Sequence, residues 1–292
     1  MATNRSSAYL DEALASVAAQ TWDDHEIVVV DDGSPVPDEI ARIVARFPSV
    51  RLLRREPSGV AAARNAAERA ARGQLIAFLD DDDRWHPECL RAHVTALRAA
   101  PDAVASYCRI QTIDATGTSV LAPGDQTAVD SQADIAARRT GIFAGNIVVR
   151  RTAFRAIGGF AEGLRRAEDL DLVLSLAERG PFVFASDGLV DYRAHDDNTT
   201  RRYRELVEDV DAVLRRHRAR AVDGADADLV AAFDESIARN ERFAWWSATR
   251  SARAALAEHA LRRAAAELAW AAGTAPRGLA TGLWRRLRGV RD

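Results

Sequence analysis

The chain has 292 residues, enough for one substantial α/β core plus an extension, and its 40 basic residues nearly balance 43 acidic ones. The net charge of -3 gives no basic field for nucleic acid, two cysteines exclude a disulfide framework, and no segment reads as a signal peptide or a membrane span. Every basic residue is arginine, and from Ser236 onward arginines outnumber Asp plus Glu by eleven to four, so the remainder is net acidic. A cytoplasmic protein, at most attached to the inner face of a membrane, is expected, with Cys89 and Cys108 as partly buried thiols.

In chain order, the spacing of Leu10, Leu14 and Val17 predicts a helix over 8–20, and the run Ile27-Val28-Val29-Val30 predicts a buried strand. A helix near 37–46, a strand at 50–54 and an alanine-rich helix over 60–72 follow; Gly73 stops that helix before a strand at 74–79. Pro87 opens a helix to about Ala99, and 103–110 reads as a strand. Residues 114–132, rich in Gly, Thr, Asp and Pro, read as a long loop of the length that usually carries function. Next come a strand at 142–150, a turn at Gly158-Gly159, a helix over 168–178 and a strand region at 182–193. Beyond residue 203 the pattern is helical, broken at Gly224 and between Gly273 and Gly278. Strands alternating with helices predict an α/β fold with a mostly parallel central sheet, spanning residues 1–203, and a helical C-terminal region over 204–292.

Two strands end in acid. Asp31 and Asp32 close the first, and four consecutive aspartates, Asp80 to Asp83, follow Phe78-Leu79. Like charges at that density repel, so the run calls for a cation or hydrogen-bond donors. Parallel pairing would bring both acidic ends to one sheet edge, where open α/β sheets bind ligands. For Asp31 and Asp32 the competing use is a helix cap or an Asp-Gly turn, and one of the two is expected to serve each purpose.

Val30-Asp31-Asp32-Gly33-Ser34, Gly59-Val60-Ala61-Ala62-Ala63-Arg64-Asn65 and Phe78-Leu79-Asp80-Asp81-Asp82-Asp83-Arg84-Trp85-His86-Pro87 resemble the signature segments of the family 2 glycosyltransferases. Gly158-Gly159-Phe160, Glu168-Asp169 and His195 follow in the same order. The resemblance covers about residues 3–200 and implies the GT-A nucleotide-diphospho-sugar transferase fold with inverting chemistry. It implies that Asp82 ligates Mg2+ or Mn2+ and that Asp80 faces the nucleotide ribose, with Asp81 between them and Asp83 just outside. It further implies that Asp32 accepts from the N3–H of uracil or thymine, that Asp169 is the catalytic base and that Glu168 beside it orients acceptor or sugar. The resemblance also implies a further metal or phosphate contact from His195, against the alternative of an ordinary packed histidine. Arg64 has two readings, a nucleotide contact or a counter-ion for the aspartates. The family's first apolar strand has no full counterpart before the first helix, so that strand is expected to be missing and the start site to lie further upstream, with Thr3 in the base-contacting loop.

The expected partners are a UDP- or dTDP-sugar donor and a polysaccharide or lipid-linked glycan acceptor. Phe243, Trp245, Trp246, Trp270, Leu283, Trp284 and Leu287 among arginines fit an amphipathic surface on an anionic membrane, a helical cap on the first domain, or a homodimer surface. Phosphotransfer proteins with aspartates at strand ends would need a lysine, which this chain lacks. A nucleotidyltransferase and a non-catalytic sugar-nucleotide or partner-binding protein remain the rival readings.

Overall fold

A computed structural model describes residues 1–5, 8–121, 124, 126–195 and 202–278. The chain divides into two compact units, Met1–Asn198 and Thr199–Asp292.

In the first unit, β1 (Ala2–Thr3), β2 (Ile27–Asp32) and β3 (Val50–Arg55) form a parallel sheet in the order β1-β2-β3. Every residue of β2 is buried, which explains an apolar run without alternation. Between these strands, α1 (Leu10–Ala18) and α2 (Pro37–Val44) bury Leu10, Leu14, Val17, Ile40 and Val44 against β2. On the other face, α3 (Val60–Ala70) lays Ala63 and Ala67 on Val28 and Val30, small side chains that let helix and sheet approach closely. Gly33, at φ +72°, closes the turn after β2; a Cβ there would stand 2.2 Å from the Pro57 ring.

The second sheet has the order β4-β7-β6-β8-β5, built from β4 (Leu75–Ala77), β5 (Arg84–Trp85), β6 (Ala105–Ile113), β7 (Ile147–Arg150) and β8 (Phe182–Arg193). Here β4–β7, β6–β7 and β5–β8 are antiparallel and only β6–β8 is parallel, so the parallel expectation holds for the first sheet and gives way to a mixed second one. Apolar content marks a strand; direction depends on which edge it returns to, which residue periodicity does not encode. The helices of this part are α4 (Cys89–Ala99), α5 (Gln132–Ala136), α6 (Arg151–Ala156) and α7 (Glu168–Ala177). Neither β5 nor α6 was legible as a separate element. Both cysteines are buried and free.

The strand expected to be missing is present but reduced to two residues. Ala2 pairs with Val30 and Thr3 with Asp31, and Ala2 also bridges Asp80 in parallel, linking the two sheets at their acidic ends.

The second unit consists, among the described residues, of α8 (Tyr203–Asp223), α9 (Ala227–Ala257) and α10 (Leu261–Thr274). Alanines at 252, 255 and 264 pack α9 on α10, and Val207, Ala244 and Ala275 form a second contact layer. The expected breaks at Gly224 and after Gly273 are present; a further break at 258–260, with His259 at φ +57°, carries no glycine or proline signal. No described helix is long and apolar enough to cross a membrane. Leu283, Trp284 and Leu287 lie outside the described residues.

Candidate active site

The acidic ends of β2 and of the segment after β4 meet around β1. Asp31 accepts from the Ser34 N–H at 2.9 Å, closing the Asp-Gly turn. Asp32 accepts from the Ser58 hydroxyl at 2.9 Å, from the Ser58 N–H at 3.2 Å and from the Gly59 N–H at 2.7 Å. Its two oxygens thus hold the loop that enters α3. Thr3 places its hydroxyl 2.5 Å from an Asp81 oxygen.

The four aspartates are treated differently by their surroundings. Asp80 accepts from Arg64 Nη2 at 2.6 Å. Asp81 is buried, and burial pushes its carboxyl up to about 6 against the Thr3 hydrogen bond, with Asp82 and Asp80 adding repulsion. Asp82 meets Arg5 Nη2 at 3.2 Å and His195 Nε2 at 3.0 Å. Asp83 accepts from the Arg193 N–H at 2.8 Å through one oxygen, while its buried Oδ2 has no partner among the described residues. Burial, then Asp80 and Asp82, hold the Asp83 carboxyl well above its usual range.

One oxygen each of Asp80, Asp82 and Asp83 lies within 4.8 Å of the others, and His195 adjoins Asp82. Hard carboxylate oxygens, one of them orphaned, with an imidazole at the edge, fit a divalent cation such as Mg2+ or Mn2+. Asp83 thereby joins a group from which the sequence reading had set it apart.

Arg64 joins this group to the predicted catalytic pair. Its buried guanidinium donates through Nη1 to Asp169 at 2.8 Å and Glu168 at 3.2 Å, as Nη2 binds Asp80, and it stacks over the Phe160 ring at 5.3 Å. Burial alone would lower its pKa, but Asp80, Asp169 and Glu168 raise it above the ordinary arginine value. These three bonds fit the counter-ion reading of Arg64.

Glu168 and Asp169 open α7, where the helix dipole favours negative charge. Burial nevertheless pushes Glu168 up to about 7, helped by the Asp169 charge and opposed by Arg64. Asp169 is also raised by burial, with Arg64 and the Ala144 N–H, 3.3 Å from its second oxygen, pulling the other way. Its side chain remains 27% exposed.

Two residues that hold this arrangement escaped the sequence reading. Asn65 donates to the Phe160 carbonyl at 2.9 Å and accepts its N–H at 2.9 Å, clamping the Gly158-Gly159 turn that leads toward α7. A Cβ on Gly159, at φ +78°, would come within 2.6 Å of Asn65 Oδ1, so only glycine fits. Arg193 is fully buried; its Nε binds the Asp82 carbonyl at 2.8 Å, Nη1 the Ala115 carbonyl at 3.2 Å and Nη2 Glu12 at 2.7 Å, over the Tyr9 ring at 4.2 Å. The only signal was an arginine in a buried strand end, which calls for several acceptors.

With this geometry in view, the comparisons are specific. Residues 1–169 match the family model described as Glycosyl transferase family 2, and the chain belongs to that family. Its α/β architecture is that of the GT-A fold. The O-antigen biosynthesis protein RfbC of Myxococcus xanthus is 34% identical over 178 residues, 59% of this chain and 14% of that protein. Chondroitin synthase of Escherichia coli is 28% identical over 198 residues, 66% of this chain and 28% of that protein. The chain thus spans less than a third of the length of these relatives. Among solved structures, TarS 1-349 of S. aureus in complex with UDP-GlcNAc superposes with a TM-score of 0.64 at 18% identity, covering 83% of this chain and 70% of that one. The mannosyltransferase PcManGT of Pyrobaculum calidifontis, in complex with GDP-Man and Mn2+, gives 0.58 at 23% identity, covering 98% and 79%.

Proposed function

We propose that the chain is a metal-dependent, inverting glycosyltransferase that moves a sugar from a UDP- or dTDP-sugar to a polysaccharide or lipid-linked glycan acceptor. The observation that carries this reading is the Arg64 bridge, which ties Asp169 to Asp80, one oxygen of which lies within 4.8 Å of Asp82 and Asp83.

In this reading Asp82, Asp83 and His195 hold Mg2+ or Mn2+ with Asp80 beside them. The cation, when bound, offsets the charge developing on the nucleoside diphosphate. Asp80 faces the ribose. Asp32 accepts the base N3–H; because Ser58 already occupies both Asp32 oxygens, entry of the base displaces the Ser58 hydroxyl. Thr3, hydrogen-bonded to Asp81, contributes to the donor side of the site. Asp169 removes the proton from the acceptor hydroxyl as that oxygen attacks the anomeric carbon from the face opposite the diphosphate. Glu168 orients the hydroxyl, and Arg64 keeps both carboxylates in place.

The transfer site is assigned to residues 1–203 and a membrane- or acceptor-facing role to 204–292. Exposed Phe243 and Trp246 stack on each other at 6.0 Å, and Arg250 lies over Trp246 at 4.4 Å, an arrangement suited to the anionic inner face of a cell membrane. Sedimentation with anionic vesicles, lost in Trp246→Ser, tests that part; wild type that stays in the supernatant removes it.

The central test is a sugar-nucleotide panel read by calorimetry and by slow hydrolysis, with and without Mn2+. Metal-dependent binding is expected, lost in Asp82→Ala and retained in Asp169→Asn, whose turnover disappears. Binding that ignores metal, or Asp82→Ala binding unchanged, defeats the reading.

A further inference from the structure

Asp32 has a charged neighbour besides the Ser58 loop. In the parallel register of β2 and β3, Asp31 stands opposite Arg54 and Asp32 opposite Arg55. Successive residues of a strand point to opposite faces, so the two acid-arginine pairs lie on opposite sides of the sheet. Val28, Val30 and Leu53 pack with the alanines of α3, and Asp32 and Arg55 follow Val30 and Leu53 by two residues, on that same face.

The two arginines are used differently. Arg54 donates through Nη2 to the Pro37 carbonyl at 2.6 Å, with its Nε 3.8 Å from Asp31, so both ends of its fork face groups of the fold. Arg55 is held from the other side: Nη1 donates to the Ala62 carbonyl at 2.5 Å in the first turn of α3, and Nε stands 3.4 Å from Asp32 Oδ1. Nε and Nη2 share one edge of a guanidinium, and Arg55 Nη2 on that edge has no partner among the described residues. The Arg55 side chain is 27% exposed, and Ser58, the loop residue that donates to Asp32, is exposed as well. A carboxylate acceptor and an open N–H donor thus stand side by side, the complement of a ring N–H next to a carbonyl.

Resting on the reading of Asp32 as the acceptor of the base N3–H, we propose that Arg55 is a second base-reading residue of the donor site, its Nη2 donating to the carbonyl oxygen beside that N–H. Uracil and thymine carry this pattern, N3–H flanked by O4 and O2. Cytosine inverts it: N3 turns a lone pair toward the carboxylate, and the 4-amino group turns a donor toward Arg55. A buried polar group left facing its own kind is costly, so such an edge discriminates more strongly than shape does. Guanine offers a related edge, N1–H beside O6, on a larger ring; UDP against CDP isolates the edge at constant ring size. Arg55 also braces the entry of α3 through Ala62, a role that acts on every nucleotide alike.

The test measures binding of UDP, dTDP and CDP by calorimetry with Mn2+ to the full chain, as wild type, Arg55→Met and Arg55→Lys, with thermal melting to verify that each is folded. Wild type is expected to bind UDP and dTDP at least about tenfold more tightly than CDP. In Arg55→Met the ratio of UDP to CDP affinity is expected to fall at least about fivefold, because UDP loses a bond where CDP loses a clash. Arg55→Lys keeps a donor without the fork, so its ratio is expected to lie between the two, and it carries the same comparison if Arg55→Met does not fold. The ratio cancels the loss of a positive charge, which the two diphosphates feel alike. A ratio unchanged in the folded variant, or a wild type that binds UDP and CDP equally, overturns the inference while Mn2+-dependent binding leaves the donor site standing. A wild type that binds none of the three defeats the donor site as a whole, and the role of Arg55 with it.

Discussion

Arg64 donates to Asp169 at 2.8 Å while its other terminal nitrogen holds Asp80 at 2.6 Å, so one planar cation fixes the spacing between Asp169 and the acidic loop. A fork of this shape can serve both carboxylates at once; a lysine ammonium is a point charge and serves one.

Replacing Arg64 by Met leaves Glu168, Asp169 and Asp80 facing one another without a counter-charge. Stability in urea is expected to fall by about 3 kcal/mol at pH 8, with Arg64→Lys recovering only part. Transfer should drop at least about a hundredfold in both variants. Unchanged stability in Arg64→Met would show the carboxylates to be solvated independently.

Glu168 sets a pH dependence whose sign can be worked out. Its folded value is raised from 4.5 to about 7, so the folded state binds this proton more tightly than the unfolded chain. Its contribution to stability is full below about 4.5 and is lost as pH rises toward 7. Glu168→Gln should remove that slope and stabilise the protein at pH 8 by roughly 2 kcal/mol. Activity should rise with pH through the same window in wild type, and the rise should flatten in the variant.

Asp83 carries a buried oxygen that has no partner among the described residues, beside two other carboxylates. Asp83→Asn keeps the bond to the Arg193 N–H and removes the charge, so the metal-free protein should gain about 1 kcal/mol at pH 8. Mn2+ affinity, followed by electron paramagnetic resonance, should fall at least about tenfold. A gain in stability with unchanged Mn2+ affinity would assign Asp83 to the fold alone.

Arg193 ties the Asp82 carbonyl to the loop at 115 and to Glu12 of α1. Arg193→Met should cost about 3 kcal/mol, the loss of several charge-assisted bonds. In Arg193→Lys, the KM for the donor should rise more than kcat falls, because the acidic loop shifts while Asp169 stays in place. Equal losses in both constants would argue against a positioning role.

The residues that carry charge at strand ends were legible from the chain alone, because Asp80 to Asp83 and Asp31-Asp32 follow short apolar runs of the kind that strands use. Glu168-Asp169 was legible as a helix start, since first turns favour carboxylates. The alternation of apolar runs and helical spacing likewise determined the layered α/β plan and the helical C-terminal region. Three things waited for the tertiary structure. The mixed direction of the second sheet depends on which edge each strand returns to. Asn65 and Arg193 act on partners up to 181 residues away, as the Arg193–Glu12 bond shows, and no local pattern encodes such a distance. The division of labour among four identical aspartates is decided by burial and by which donor stands opposite each one, quantities that exist only after the chain has folded.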